Sequence, residues 1–265
     1  DQNGTANFDP EFERGWADLE MRDDGEAGDE QGGDGLYAVT VPFNLNRNRY
    51  LVRYRITAED SDGNSVVLPY EDDPQFNFAY FVYNGTPDWQ GAIRDGDAPV
   101  TYPGEFMSSI PTYFLLSKSS WVDDSQFGGY RGSEYLWPGT LVYEGKVYDH
   151  IRYRPRGGVH RFQYGKNFWK FDFNRGHRFQ ARDEYGQKYR TEWSKMNFSS
   201  IVQQVNFQHR GEQGLFEGVG FRLFELCGVE ASKTHHAQFY VVDQSRPARS
   251  QYGSCLLYTS DAADE

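Results

Sequence analysis

Between residues 147 and 173 the chain alternates apolar and polar residues twice, around a basic turn with two adjacent glycines. Alternation of period two marks a strand with one buried face, so 147–153 and 168–173 are expected to pair as a β-hairpin. Trp169, Phe171 and Phe173 then share one face, and Phe168, Lys170 and Asp172 share the other. The turn holds Arg156, Gly157 and Gly158, and glycine lets backbone N–H groups approach an anion closely. Lys170 lies beneath that turn and Lys166 at the start of the second strand, where either ammonium could neutralise a phosphate. A phosphate grip competes here with a plain surface hairpin carrying solvated lysines.

Further along, apolar or small residues at 216, 219, 220, 223 and 227 follow the spacing of a helix with a buried stripe, and Gly228 is its natural stop. Cys227 falls on that stripe and is expected in the core. Glu217 lies on the flank of the stripe, where a partly desolvated carboxylate wants a cation, whereas Glu225 falls opposite. A glycine turn, a strand lysine and a helix glutamate together follow the logic of a kinase small lobe, in which the ion pair holds the lysine against nucleotide phosphates.

Three segments in order, GTLVYEGKVYDHIRYRPRGG (139–158), GKNFWKFDFNRGHRF (165–179) and RGEQGLFEGVGFRLFELCGV (210–229), resemble the CotH kinase family, related to spore coat protein H. The resemblance covers about residues 108 to 245. It implies an incomplete α+β, atypical protein-kinase-like domain over 110–254 that binds ATP with Mg²⁺ or Mn²⁺ and phosphorylates protein Ser. By position, Arg156, Gly157 and Gly158 would form the phosphate turn, Lys166 or Lys170 the nucleotide lysine, and Glu217 its partner. No G-x-G-x-x-G precedes the lysines, so both stay open as alternatives. In that family the acids that act as base and hold the metal lie downstream, which implies a protein inactive as cut. The alternative is a surface or spore-coat interaction protein that keeps the kinase-like fold as a non-catalytic scaffold.

Residues 1–95 are expected to form a separate module, an immunoglobulin- or fibronectin-like β-sandwich with strands at 38–41, 50–58, 65–68 and 76–83, followed by a linker at 96–109. The whole chain therefore reads as mainly β with some α. An acidic, glycine-rich stretch at 23–35 reads as a solvated loop between strands or a Ca²⁺ site, although the EF-hand spacing is not met. Residues 255–265, CLLYTSDAADE, lack periodicity and back-translate to a transposon-type sequencing adapter, so they are expected outside the fold and the chain is read as a metagenomic fragment. Its bacterial parent is expected to be exported, to the extracellular space, the cell surface or a spore coat, with the signal peptide lost with the start.

Lys and Arg total 27 against 39 Asp and Glu, a net charge of −12, which excludes duplex nucleic acid as the main partner. No apolar run approaches 18 residues, so no transmembrane helix is expected. The partners left are a protein Ser substrate or proteins of the surface or coat. The histidines share no metal-ligand spacing, and a single cysteine outside the tail excludes an internal disulfide.

Overall fold

The computed structural model describes residue 12 and residues 14–91, 97–127, 135–156, 168–183, 185–199, 214–243 and 254–259. The chain is mainly β. In the N-terminal part β1 (Tyr50–Tyr54) pairs antiparallel with β4 (Phe78–Val82), and β2 (Ile56–Glu59) pairs with β3 (Ser65–Leu68). The single strand expected over 50–58 is thus broken at Arg55 into two strands with different partners. Residues 38–41 form no strand, only an isolated bridge from Ala38 to Arg22. The stretch expected as linker, 96–109, holds the second strand of a short hairpin, β6 (Val100–Tyr102), paired with β5 (Trp89–Gly91), and one helical turn, α1 (Gly104–Met107).

Seven strands then close into a barrel: β7 (Thr112–Leu116), β8 (Trp137–Tyr143), β9 (Lys146–Arg156), β10 (Phe168–Asp172), β11 (Lys195–Ser199), β12 (Thr234–Val242) and β13 (Ser254–Thr259). Around the ring the order is β7, β8, β9, β10, β11, β13, β12, and the ring closes where β12 runs parallel to β7. Every other neighbouring pair is antiparallel. Helix α2 (Ser119–Phe127) follows β7, and α3 (Gly214–Leu226) precedes β12.

A barrel of this size is only wide enough for side chains, and aromatic rings fill it. Tyr113, Tyr153, Trp169, Phe171, Phe198 and Phe239 all point inward and are buried. Phe198 and Phe239 lie 5.1 Å apart, and Tyr113 stacks on Tyr143 at 4.3 Å. Each fully buried ring stabilises the fold by roughly 1.5–3 kcal/mol before side-chain entropy is charged against it.

On the outside of β7, β8 and β12 a second apolar layer, Phe114, Leu116, Val142, Tyr240 and Val242, is covered by Leu51, Phe81 and Tyr83 from β1, β4 and the residue just past β4. The N-terminal sheet therefore rests on the barrel through the face that carries Leu51 and Arg53, and it turns Tyr50 and Tyr54 outward.

Two further differences from the sequence reading concern the C-terminal half. Residues 255–259, expected outside the fold, belong to β13, the strand that fills the gap between β11 and β12. The physical reason is the edge rule: without β13 two apolar strands would present unpaired N–H and C=O groups, and CLLYT is rich enough in β-forming residues to take them. Of the expected helix stripe, Val219, Leu223 and Cys227 are not buried. Val219, Leu223, Phe224, Leu226 and Cys227 are exposed, with Leu226 at 68%. Periodicity identifies a helix and its apolar side but not what covers that side.

Candidate functional site

The hairpin that opened the sequence reading is present as β9 and β10, and its faces fall as the alternation requires. Trp169 and Phe171 enter the barrel opposite Pro155 and Tyr153. Lys170 faces outward opposite Arg154, with Asn197 of β11 on its other side. Phe168 lies opposite Arg156, and Asp172 lies between Arg152 and Lys195. Cross-strand partners in an antiparallel pair share a face, so Arg152, Arg154, Arg156, Lys170 and Lys195 form one cationic outer face on three adjacent strands. Asp172 lies on the same face, its Oδ2 3.9 Å from Arg152 Nη2. Arg156 is exposed, while Arg154 and Lys170 are half-buried. Gly157, Gly158 and Lys166 lie outside the described residues.

Glu217 sits in the first turn of α3, exposed, and forms no ion pair with Lys170. The helix carboxylate that does take cations is Glu225, which accepts from Arg222 Nη1 at 2.7 Å and from Lys233. Helical spacing places Glu225 opposite the stripe. With the stripe itself turned outward, that side meets Lys233 on the segment leading into β12. The helix stops where expected: Gly228 has φ +75°, and its N–H and that of Val229 cap the carbonyls of Glu225 and Phe224.

A second polar constellation stands where β1 and β4 meet the β8–β9 hairpin. Glu144 and Gly145, both at positive φ, make the tight two-residue turn between these strands. Further along, Asp149 and His150 oppose the single residue Thr140, a β-bulge with His150 at φ +54°. The bulge aims Asp149 out of the barrel, where Arg53 Nε and Nη2 bind its two oxygens at 2.6 and 2.8 Å. Thr140 Oγ1 donates to it at 2.5 Å, Asn77 Nδ2 at 3.1 Å and the His150 N–H at 2.9 Å. Burial alone would push the Asp149 carboxyl up, but Arg53 leads a set of donors and charges that outweighs it and holds the group below the ordinary carboxylate range. His150 Nε2 donates to Asn77 Oδ1 at 2.8 Å.

The acidic loop brings carboxylate oxygens of Asp23, Asp29 and Asp34 within 4.8 Å of one another. Asp23 already accepts the N–H groups of Gly33, Asp34 and Gly35, and Asp29 accepts those of Gly25 and Gln31. These bonds account for the loop's shape as a turn tied by its own side chains.

Sequence reasoning missed Arg152, Arg154 and Lys195 on the cationic face and the whole Asp149 cluster. The first omission had a signal, since R-Y-R-P-R places three arginines on one side of a strand. The second had none, because a bulge is invisible in alternation and Arg53 lies 96 residues from Asp149. Comparison of the chain with protein-family models and with curated proteins gives no match.

Proposed function

We propose that the chain carries the nucleotide-holding part of a CotH-type atypical protein kinase, with the β9–β10 hairpin as its phosphate grip. The observation that carries the reading is the placement of Lys170 beside Arg154 on the outer face of that hairpin, with Arg156 at the end nearest the glycine turn. Three cations held by strand geometry suit an oligophosphate, which offers several acceptor oxygens and more than one negative charge. The barrel interior is filled by rings, so the ligand of this reading is ATP bound on the outside of the sheet, with Mg²⁺ or Mn²⁺ at its phosphates. A protein Ser would be the acceptor, in an exported parent acting at the cell surface or spore coat. Phosphoryl transfer also needs a residue to orient the hydroxyl and carboxylates to hold the metal. We propose nucleotide binding, the step that the cations of β9 and β10 can support.

The test is titration of the chain with ATP and Mg²⁺ by calorimetry, alongside Lys170→Ala and Arg154→Ala. Each substitution is expected to weaken binding about tenfold, equivalent to about 1.4 kcal/mol. Equal affinity in all three proteins would sink the phosphate-grip reading. A second reading, a non-catalytic interaction scaffold, is favoured by two observations: Lys170 and Glu217 form no ion pair, and α3 turns its apolar residues outward. Absence of any ATP binding would leave the scaffold as the better account.

A further inference from the structure

The outer face of the β9–β10 hairpin carries an aromatic ring as well as its cations. Phe168 stands directly opposite Arg156, and Lys170 lies two residues along the same strand. Facing residues of an antiparallel pair hold their Cβ atoms about 5 Å apart, and two residues of strand advance about 7 Å, so one small molecule can span all three.

This ring differs from its neighbours. Trp169 and Phe171 pack against Phe239 and Phe198 inside the barrel, each pair of centroids 5.5 Å apart. Phe168 turns the other way, half-buried, and meets no other ring among the described residues. Arg156 and Lys170 are alike in this: neither side chain forms an ion pair or hydrogen bond among the described residues, whereas Arg152 stands beside Asp172. A half-buried ammonium without a counter-ion is destabilising, and an anion bound beside it removes that penalty.

Cations alone suit any oligoanion. A ring beside them selects one with a flat apolar body, and a nucleotide has both parts. Stacking on an aromatic side chain is tolerant of the base, because every base presents a π-face. Selection among bases needs hydrogen bonds to their edges, and the accessible polar groups here, Arg154, Arg156 and Lys170, only donate. The side chains of this face that could accept are withdrawn: Asn197 is 2% exposed, and the mostly buried Asp172 carboxylate stands beside Arg152. Guanine offers two acceptors on one edge, N7 and O6, whereas adenine offers N7 beside an amine that itself needs an acceptor. A face of donors therefore has no means of preferring adenine.

We propose that Phe168 is the stacking platform for the nucleotide base and that this site takes GTP at least as readily as ATP, a proposal that rests on the phosphate-grip reading and names the residue that sets its base specificity.

The test is calorimetry of the full chain in Mg²⁺ with three probes: ATP, GTP and tripolyphosphate, which has the phosphates without a base. GTP is expected to bind as tightly as ATP or more so. Phe168→Ala should weaken both nucleotides about tenfold and leave tripolyphosphate unchanged, and Phe168→Trp should keep the nucleotide affinity. Unchanged tripolyphosphate binding also shows that the alanine variant is folded. A preference for ATP of about tenfold or more, nucleotide affinity undiminished in Phe168→Ala, or an equal loss of tripolyphosphate would overturn the proposal and leave the phosphate grip standing. So would nucleotides that fail to bind where tripolyphosphate does. Failure of all three probes to bind the unaltered chain would overturn both.

Discussion

The barrel and the N-terminal strands are built from the same aromatic and β-branched residues, yet only the barrel encloses them. Phe171, Tyr153 and Phe198 are fully buried within a closed ring, whereas Tyr50 and Tyr54 of β1 remain on the surface. A two-stranded sheet has no inside of its own and is at best marginally stable in water. The β1–β4 pair therefore draws its stability from the barrel, through Leu51, Phe81 and Tyr83 on the apolar outer layer and through Arg53 on Asp149. A residue's type decides that it seeks burial, and closure of the sheet decides whether it finds it.

The largest effect expected from this contrast is that of Phe171→Ala. Removing a fully buried ring from the barrel should destabilise the protein by about 4 kcal/mol. Because the N-terminal strands lean on the barrel, urea unfolding followed by near-UV circular dichroism and by proteolysis of the N-terminal part should shift together. Strands β1 and β4 that outlast the barrel would show an autonomous module and break the comparison.

Asp149→Ala acts at the junction. It strands Arg53 without its carboxylate, and loss of one partner from a buried pair costs about 3 kcal/mol. Here the two regions should separate: protease cleavage N-terminal to β7 should accelerate while amides of β10 and β11 stay protected from hydrogen exchange.

Acid sharpens the same contrast in two stages. Burial lowers both His177 and His235 to about 4, against about 6.5 for an unfolded imidazole. The unfolded chain thus gains protons first, so stability is complete above about pH 6.5 and falls as the pH drops toward 4, by roughly 3 kcal/mol for each imidazole. Asp149, held below the ordinary carboxylate range, contributes stability that is present above about pH 4 and is lost only below it. Urea midpoints at pH 7.5, 5 and 3 should resolve the two stages, and His177→Asn should flatten the first.

Local pattern made the β9–β10 hairpin, its inward Trp169 and Phe171, its outward Lys170, and the helix ending at Gly228 legible in advance. Each of these depends on neighbours a few residues away. The pairing of β1 with β4, the outward turn of Leu223 and Phe224, and the carboxylate partner of Arg53 all depend on residues distant in sequence. Single-chain periodicity says nothing about them. The candidate site divides in the same way: the cations of β9 and β10 follow from alternation, while Lys195 and Asn197 join their face only through the pairing of β10 with β11.

The parallel seam between β7 and β12 has a consequence for the chain during its synthesis. Thr112 pairs beside Gln238, so the two strands that shut the barrel are separated by well over a hundred residues. Hairpins β8–β9 and β9–β10 can form as soon as they emerge, but β7 must wait for β12, an interval on the order of ten seconds at ordinary elongation rates. Throughout that wait Tyr113, Phe114, Leu115 and Leu116 stand at an open apolar edge, and the nascent protein is at that moment a substrate for chaperones rather than a barrel.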